Sequence, residues 1–176
     1  MNSRTKQLIL ACTFPVLILV VICVKPVYTL LAGEEIILQT MPVDPTDLFR
    51  GDYVALRYEA EEVPKQLVED EVLTKYDKNW GELDVYVLLA EKKGVHTPVK
   101  VTMKKPSRGI YLKGTLNYIE KTEDGEEHAF IEYNLDKYYV EDNTGTEWEK
   151  ASAQGDILAK IKVNNGYAIL KDIEMK

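Results

Sequence analysis

Beyond residue 23 this 176-residue chain has no cysteine; both thiols, Cys12 and Cys23, fall inside one apolar run near the N-terminus. The rest of the chain therefore holds neither a disulfide nor a thiolate zinc site. Histidine is nearly as scarce, and His96 and His128 lack ligand-spaced neighbours, which leaves zinc catalysis without support. No glycine-rich phosphate loop, internal repeat or low-complexity tract is present, and no acidic residue precedes Glu34. The length suits one domain plus an anchor rather than two domains.

The run Leu8 to Val24 carries no charge. At about 1.5 Å per residue it spans roughly 26 Å, close to the hydrocarbon thickness of a bilayer. Lys25 can snorkel, and Val27, Tyr28, Leu30 and Leu31 extend the apolar segment by a turn. Arg4 and Lys6 before it place the N-terminus in the cytoplasm and the bulk of the chain outside. A cleaved signal peptide is the alternative. It is disfavoured because Leu30-Leu31-Ala32 before Gly33 lacks the small residue wanted at the first cleavage position. Pro15 predicts a kink, which bilayer helices tolerate. Cys12 and Cys23, about three turns apart, share a helix face as small apolar filler. The whole chain carries −7 and the first 25 residues +3, so residues 26–176 carry −10. Phosphate backbones and anionic lipid headgroups both repel a domain of this net charge, which argues against nucleic acid as a partner.

The predicted organisation is residues 1–33 as cytoplasmic tail and transmembrane anchor, and 34–176 as one extracytoplasmic domain. Alternation and turn residues predict strands over Glu34 to Thr40, Asp52 to Glu59, Asp84 to Glu91, Val95 to Met103, Ile110 to Lys121, Glu127 to Tyr133 and Leu135 to Val140. Asp84 to Glu91 reads as a central strand, and Val95 to Met103, with Pro98, as an edge. Asp156 to Val163 and Tyr167 to Ile173 form a hairpin through Asn164-Asn165-Gly166, a type I′ signal. Helices are expected over Pro64 to Tyr76 and over Asn143 to Gln154, the latter with Thr146 as N-cap. Asn79-Trp80-Gly81 reads as a loop, and Lys104 to Gly109 as a basic turn. The fold class is α+β, mainly antiparallel β: a curled, barrel- or sandwich-like sheet behind an N-terminal transmembrane helix.

One stretch stands out. Met41 to Glu59 holds two X-Pro steps, three aspartates and then a strand that sets Val54, Leu56 and Tyr58 on one face. Its core, Gly51 to Tyr58, reads GDYVALRY and fits the pattern G-D-Y-x-x-L-x-Y in full. Together with PVDPTDLFR before it, VYVLLAEKKG, YLKG at Tyr111 to Gly114 and EYNLDKYYVED around Glu132 to Asp142, this resembles the GDYXXLXY family over nearly the whole chain. The chain departs from the family's aromatic-valine-proline-glutamate step, since Glu141 follows Val140 directly. The resemblance implies a membrane-anchored protein associated with multi-pass membrane proteins.

The leading expectation is a binding or accessory module for such a membrane-protein partner. Asp47, Arg50, Gly51, Asp52, Tyr53, Tyr58 and Glu141 would form its surface, without cofactor or metal. A structural account needs only Gly51 for the turn, Asp52 to bond backbone amides, and Leu56 and Tyr58 for the core. The rival is a carboxylate hydrolase in which Asp52 approaches Glu141 or Asp47 and one pKa is raised. Calcium at Asp44, Asp47, Asp52 and Glu141 fits no EF-hand spacing. Arg50-Gly51-Asp52 matches an adhesion tripeptide but is better explained as a turn entering a strand. The many tyrosines fit core packing better than a ligand groove. Signal-peptidase-like serine–lysine chemistry lacks its serine before Gly51-Asp52, and Ser107 and Ser152 have no signature around them.

Overall fold

The computed structural model describes residues 3–43, 53–79, 81–122, 125–139 and 145–176. Helix α1 (Ser3–Ala32) runs through Pro15 and Pro26, and its segment Ala11–Ala32 is long and apolar enough to cross a membrane. Only Gly33 separates it from β1 (Glu34–Met41). A four-stranded antiparallel sheet then has the order β11 (Tyr167–Met175), β10 (Ile157–Asn164), β1 and β3 (Arg57–Tyr58). The second sheet has five strands: β4 (Glu62–Pro64), β8 (Glu127–Glu132), β7 (Ile110–Lys121), β5 (Leu83–Lys92) and β6 (Val95–Thr102). A small pair joins β2 (Tyr53–Ala55) to β9 (Lys137–Tyr139).

Strand alternation builds the core. Ile36 and Leu38 of β1 lie opposite Ile161 and Ala159 of β10, and Val87 of β5 lies opposite Leu112 of β7; all are fully buried. Each large side chain so buried contributes about 1.5–3 kcal/mol. Two seams tie the sheets into a nearly closed barrel. At one, the Ile37 amide donates to Nδ1 of buried His96 on β6 (3.3 Å), so that imidazole keeps a lone pair on Nδ1. At the other, Gly166 bridges Leu112, and the Lys113 amide donates to the Gly166 carbonyl (2.9 Å).

The α+β, antiparallel architecture is as expected from the sequence. β5 is an interior strand and β6 an edge, with the irregularity of the pair at Leu88/Leu89, where Leu89 faces Pro98. The last hairpin turns at Asn165 (φ 52°) and Gly166 (φ 80°), both left-handed as a type I′ turn requires. Three expectations are corrected. The strand over Asp52 to Glu59 is broken at Leu56, whose amide leaves the ladder to donate to the Asp136 carbonyl (2.8 Å); β2 pairs with β9, whereas β3 pairs with β1. The helix over Pro64 to Tyr76 begins only at Asp70, as α2 (Asp70–Asn79). Pro64 instead ends edge strand β4 opposite His128, and Asp70 and Glu71 supply the negative first turn that favours a helix start there. Helix α3 (Gly145–Gln154) already includes Thr146, which is therefore inside its first turn rather than before it. Trp80 of the expected loop lies outside the described residues.

Candidate functional site

Of the residues expected to form the motif surface, Asp47, Arg50, Gly51, Asp52 and Glu141 lie outside the described residues, as does Asp44. The described part of the octamer shows how its frame is held. Val54, Leu56 and Tyr58 are all buried, and the Tyr58 hydroxyl donates to the Leu135 carbonyl (2.7 Å). Burial pushes the Tyr58 phenol far above its ordinary range, with the Glu61 and Asp136 charges adding to the effect.

The chain on both sides of the segment 44–52, at Val43 and at Ala55 of β2, is pinned to one residue of α3. The Val43 amide donates to the Ser152 carbonyl (3.3 Å), and the Ser152 hydroxyl donates to the Ala55 carbonyl (2.7 Å). Ser152 is buried, so its role is structural, and nothing in its sequence surroundings signals it. Tyr53, next to Asp52, is the Cα partner of Tyr139, which precedes the segment 140–144. Met41 pairs with Arg57, so this whole constellation sits at the far end of β1 from the helix. Seven steps from Glu34 to Met41 at about 3.3 Å put it roughly 23 Å from the α1 junction.

Just after the octamer the chain makes a 3₁₀ turn over Glu59–Glu61, and the Glu61 carboxyl curls back to accept the Tyr58 amide (3.3 Å). Glu61 faces a cleft of about 230 Å³ shared with Arg57, Asn117, Tyr118, Phe130 and Glu132. Tyr118 and Phe130 stack as one wall (4.5 Å between centroids). Arg57 pairs with Glu62 (3.4 Å), and the Asn117 amide donates to Glu132 (3.2 Å). Burial raises the Glu61 pKa to about 7; the Tyr58 amide and Arg57 oppose this, while Glu132 and Asp136 add to it. The sequence reading missed Glu61. Its one signal is a glutamate three residues after Tyr58, the capping-box offset, without the usual Ser or Thr partner.

Among the described residues no three His, Cys, Asp or Glu side chains gather as a metal site. Tyr58, Tyr111 and Tyr133 are buried, whereas Tyr118 and Tyr139 are exposed. The basic turn, the other charged feature, lines a separate open cleft of about 680 Å³ in which Lys100 pairs with Glu69 (2.6 Å) and Lys104 with Glu71 (2.9 Å).

These features define a class: a small antiparallel α+β domain behind a helix apolar enough to cross a membrane, with its signature strand at the end remote from that helix. The family model described as GDYXXLXY protein matches residues 15–173, and the chain belongs to that family. No curated protein and no solved structure matches it.

Proposed function

We propose that this protein is a single-pass anchored, extracytoplasmic module that binds a multi-pass membrane protein through the motif end of its domain. One observation carries the reading. Asp47, Arg50, Gly51 and Asp52 lie in one segment and Glu141 in another. The described residues that flank them in sequence, Tyr53 after Asp52 and exposed Tyr139 before the segment with Glu141, are Cα partners at the end of the domain remote from α1. Fixing the ends of both segments on β2, β9 and α3 lowers the entropy cost of presenting them to a partner. A partner engaging this end must rise from the bilayer by a comparable height, so the fit is to extramembrane loops rather than to buried helices.

The hydrolase reading keeps one supporting observation, the near-neutral Glu61 carboxyl in a cleft with Glu132. Glu61 already serves the Tyr58 amide, however, and among the described residues the cleft presents no nucleophile partnered by a base. Photo-crosslinking from native membranes through a probe at Tyr139 separates the readings. Binding predicts one recurrent multi-pass partner, lost in Asp52→Ala once that variant is shown to be folded and inserted. Undiminished capture by Asp52→Ala would make the octamer a folding element only.

A further inference from the structure

The opposite end of the domain carries a second, chemically distinct site. A pocket of about 430 Å³, within the size range of small-ligand sites, opens between α1, the basic turn, the start of β7 and the β10–β11 turn. Three lysines line it, Lys25, Lys105 and Lys113, and among the described residues no carboxylate does, on a domain whose residues 26–176 carry −10. Lys25 extends from α1 over the Tyr167 ring (4.0 Å), and Lys113 is held by Asp84 (2.7 Å). Lys105 is exposed and makes no ion pair among the described residues. Tyr86, set edge-on to Tyr111 (5.8 Å), and Asn165 add hydrogen-bonding groups to the wall. Gly166 is required beneath it: at φ 80°, any Cβ would sit 2.8 Å from the Tyr111 ring.

Height matters as much as charge. Thr29 is fully buried, and the Lys162 ammonium donates to the Gly33 carbonyl (3.3 Å), so the last turns of α1 belong to the folded domain. A lysine ammonium is expensive in hydrocarbon, so that of Lys25, the first charge after the uncharged run from Leu8, reaches the headgroup edge of the bilayer even where apolar residues of the helix continue past it. The pocket that holds Lys25 is then at headgroup depth.

We propose that this pocket binds the phosphodiester of an anionic phospholipid headgroup in the leaflet on which the domain stands. The inference rests on the membrane-anchored reading but not on any protein partner. The test uses the full chain in nanodiscs of phosphatidylcholine with a minority of phosphatidylglycerol, with native mass spectrometry of the lipid retained on release. Phosphatidylglycerol should be retained above its share. Lys105→Ala, in an exposed turn, should weaken retention about fivefold, while Lys75→Ala on α2 leaves it unchanged. Equal retention by Lys105→Ala, or phosphatidylcholine held as well as phosphatidylglycerol, would overturn the proposal. Displacement by added inorganic phosphate would also overturn it and reassign the pocket to a soluble phosphate. Failure of the chain to enter the discs would contradict the anchor itself, an outcome distinct from loss of lipid selectivity.

Discussion

Glu61 shows how a single side chain can be invisible in sequence and conspicuous in space. In the sequence it is one of several acids after a strand; in the fold it is drawn inward because the Tyr58 amide, freed where β3 ends, needs an acceptor. Its carboxyl titrates near 7 when folded and near 4.5 when unfolded, so between those values the folded state holds a proton that the unfolded state has lost. Stability from this group is therefore present at acid pH and declines as pH rises through that window. Glu61→Gln keeps an oxygen for the Tyr58 amide and removes the charge. It should raise stability at pH 8 by about 1–2 kcal/mol, with little change near pH 5, as read from denaturant unfolding at the two pH values. The ion pairs of Glu35, Glu69 and Glu127 with lysines shift those acids the other way and act below this window. Tyr58 was legible as a core residue because strict alternation from Val54 put it inside. That its hydroxyl would reach Leu135, 77 residues on, was not, because a hydrogen bond to a distant carbonyl leaves no periodicity.

Elements with a strong local cause were readable: the Asn165-Gly166 hairpin from its turn chemistry, β5 from its unbroken apolar run, β6 from Pro98. Elements decided by partners elsewhere were not. The signature strand breaks at Leu56 because its two halves are claimed by different strands, β9 and β1, a choice that local propensity does not encode. Residues 64–69 carry helical spacing, yet Pro64 is paired with β8, Lys65–Leu67 close only a single 3₁₀ turn, and the bridge from Val68 to Val101 keeps the chain from continuing as an α-helix before Asp70. The junction of α1 and β1 is likewise tertiary in origin. A Cβ on Gly33 would stand 2.3 Å from the Thr29 carbonyl oxygen, the atom that accepts the Gly33 amide (2.8 Å). Gly33→Ala should therefore undock the last turn of the helix, costing about 1–3 kcal/mol of domain stability and opening the junction to protease. Limited proteolysis of the detergent-solubilised protein reads the second effect, and unchanged cleavage would mean that the helix and the domain are joined loosely.

At the scale of the molecule, the domain has two unlike ends, and the proposed membrane anchoring stands it upright on the bilayer. The lysine pocket lies beside α1, and the ends of the signature segments lie across the length of β1, with Arg57 opposite Met41. Fold class and the apolar helix were legible in the sequence, because periodicity and a run of uncharged residues write them locally. The polarity of the domain was not, because it depends on Lys25, Lys105 and Lys113, spread over 89 residues, meeting at one end. Depth-resolved quenching tests that polarity directly. In a Cys12→Ala, Cys23→Ala background, single fluorophores at Asn164→Cys and at Tyr139→Cys are read in bilayers whose lipids carry a spin label on the headgroup. The upright arrangement predicts strong quenching at 164 and little at 139, which stands roughly 20 Å or more above the surface. Comparable quenching at both positions, or stronger quenching at 139, would lay the domain down or invert it, and would contradict the account.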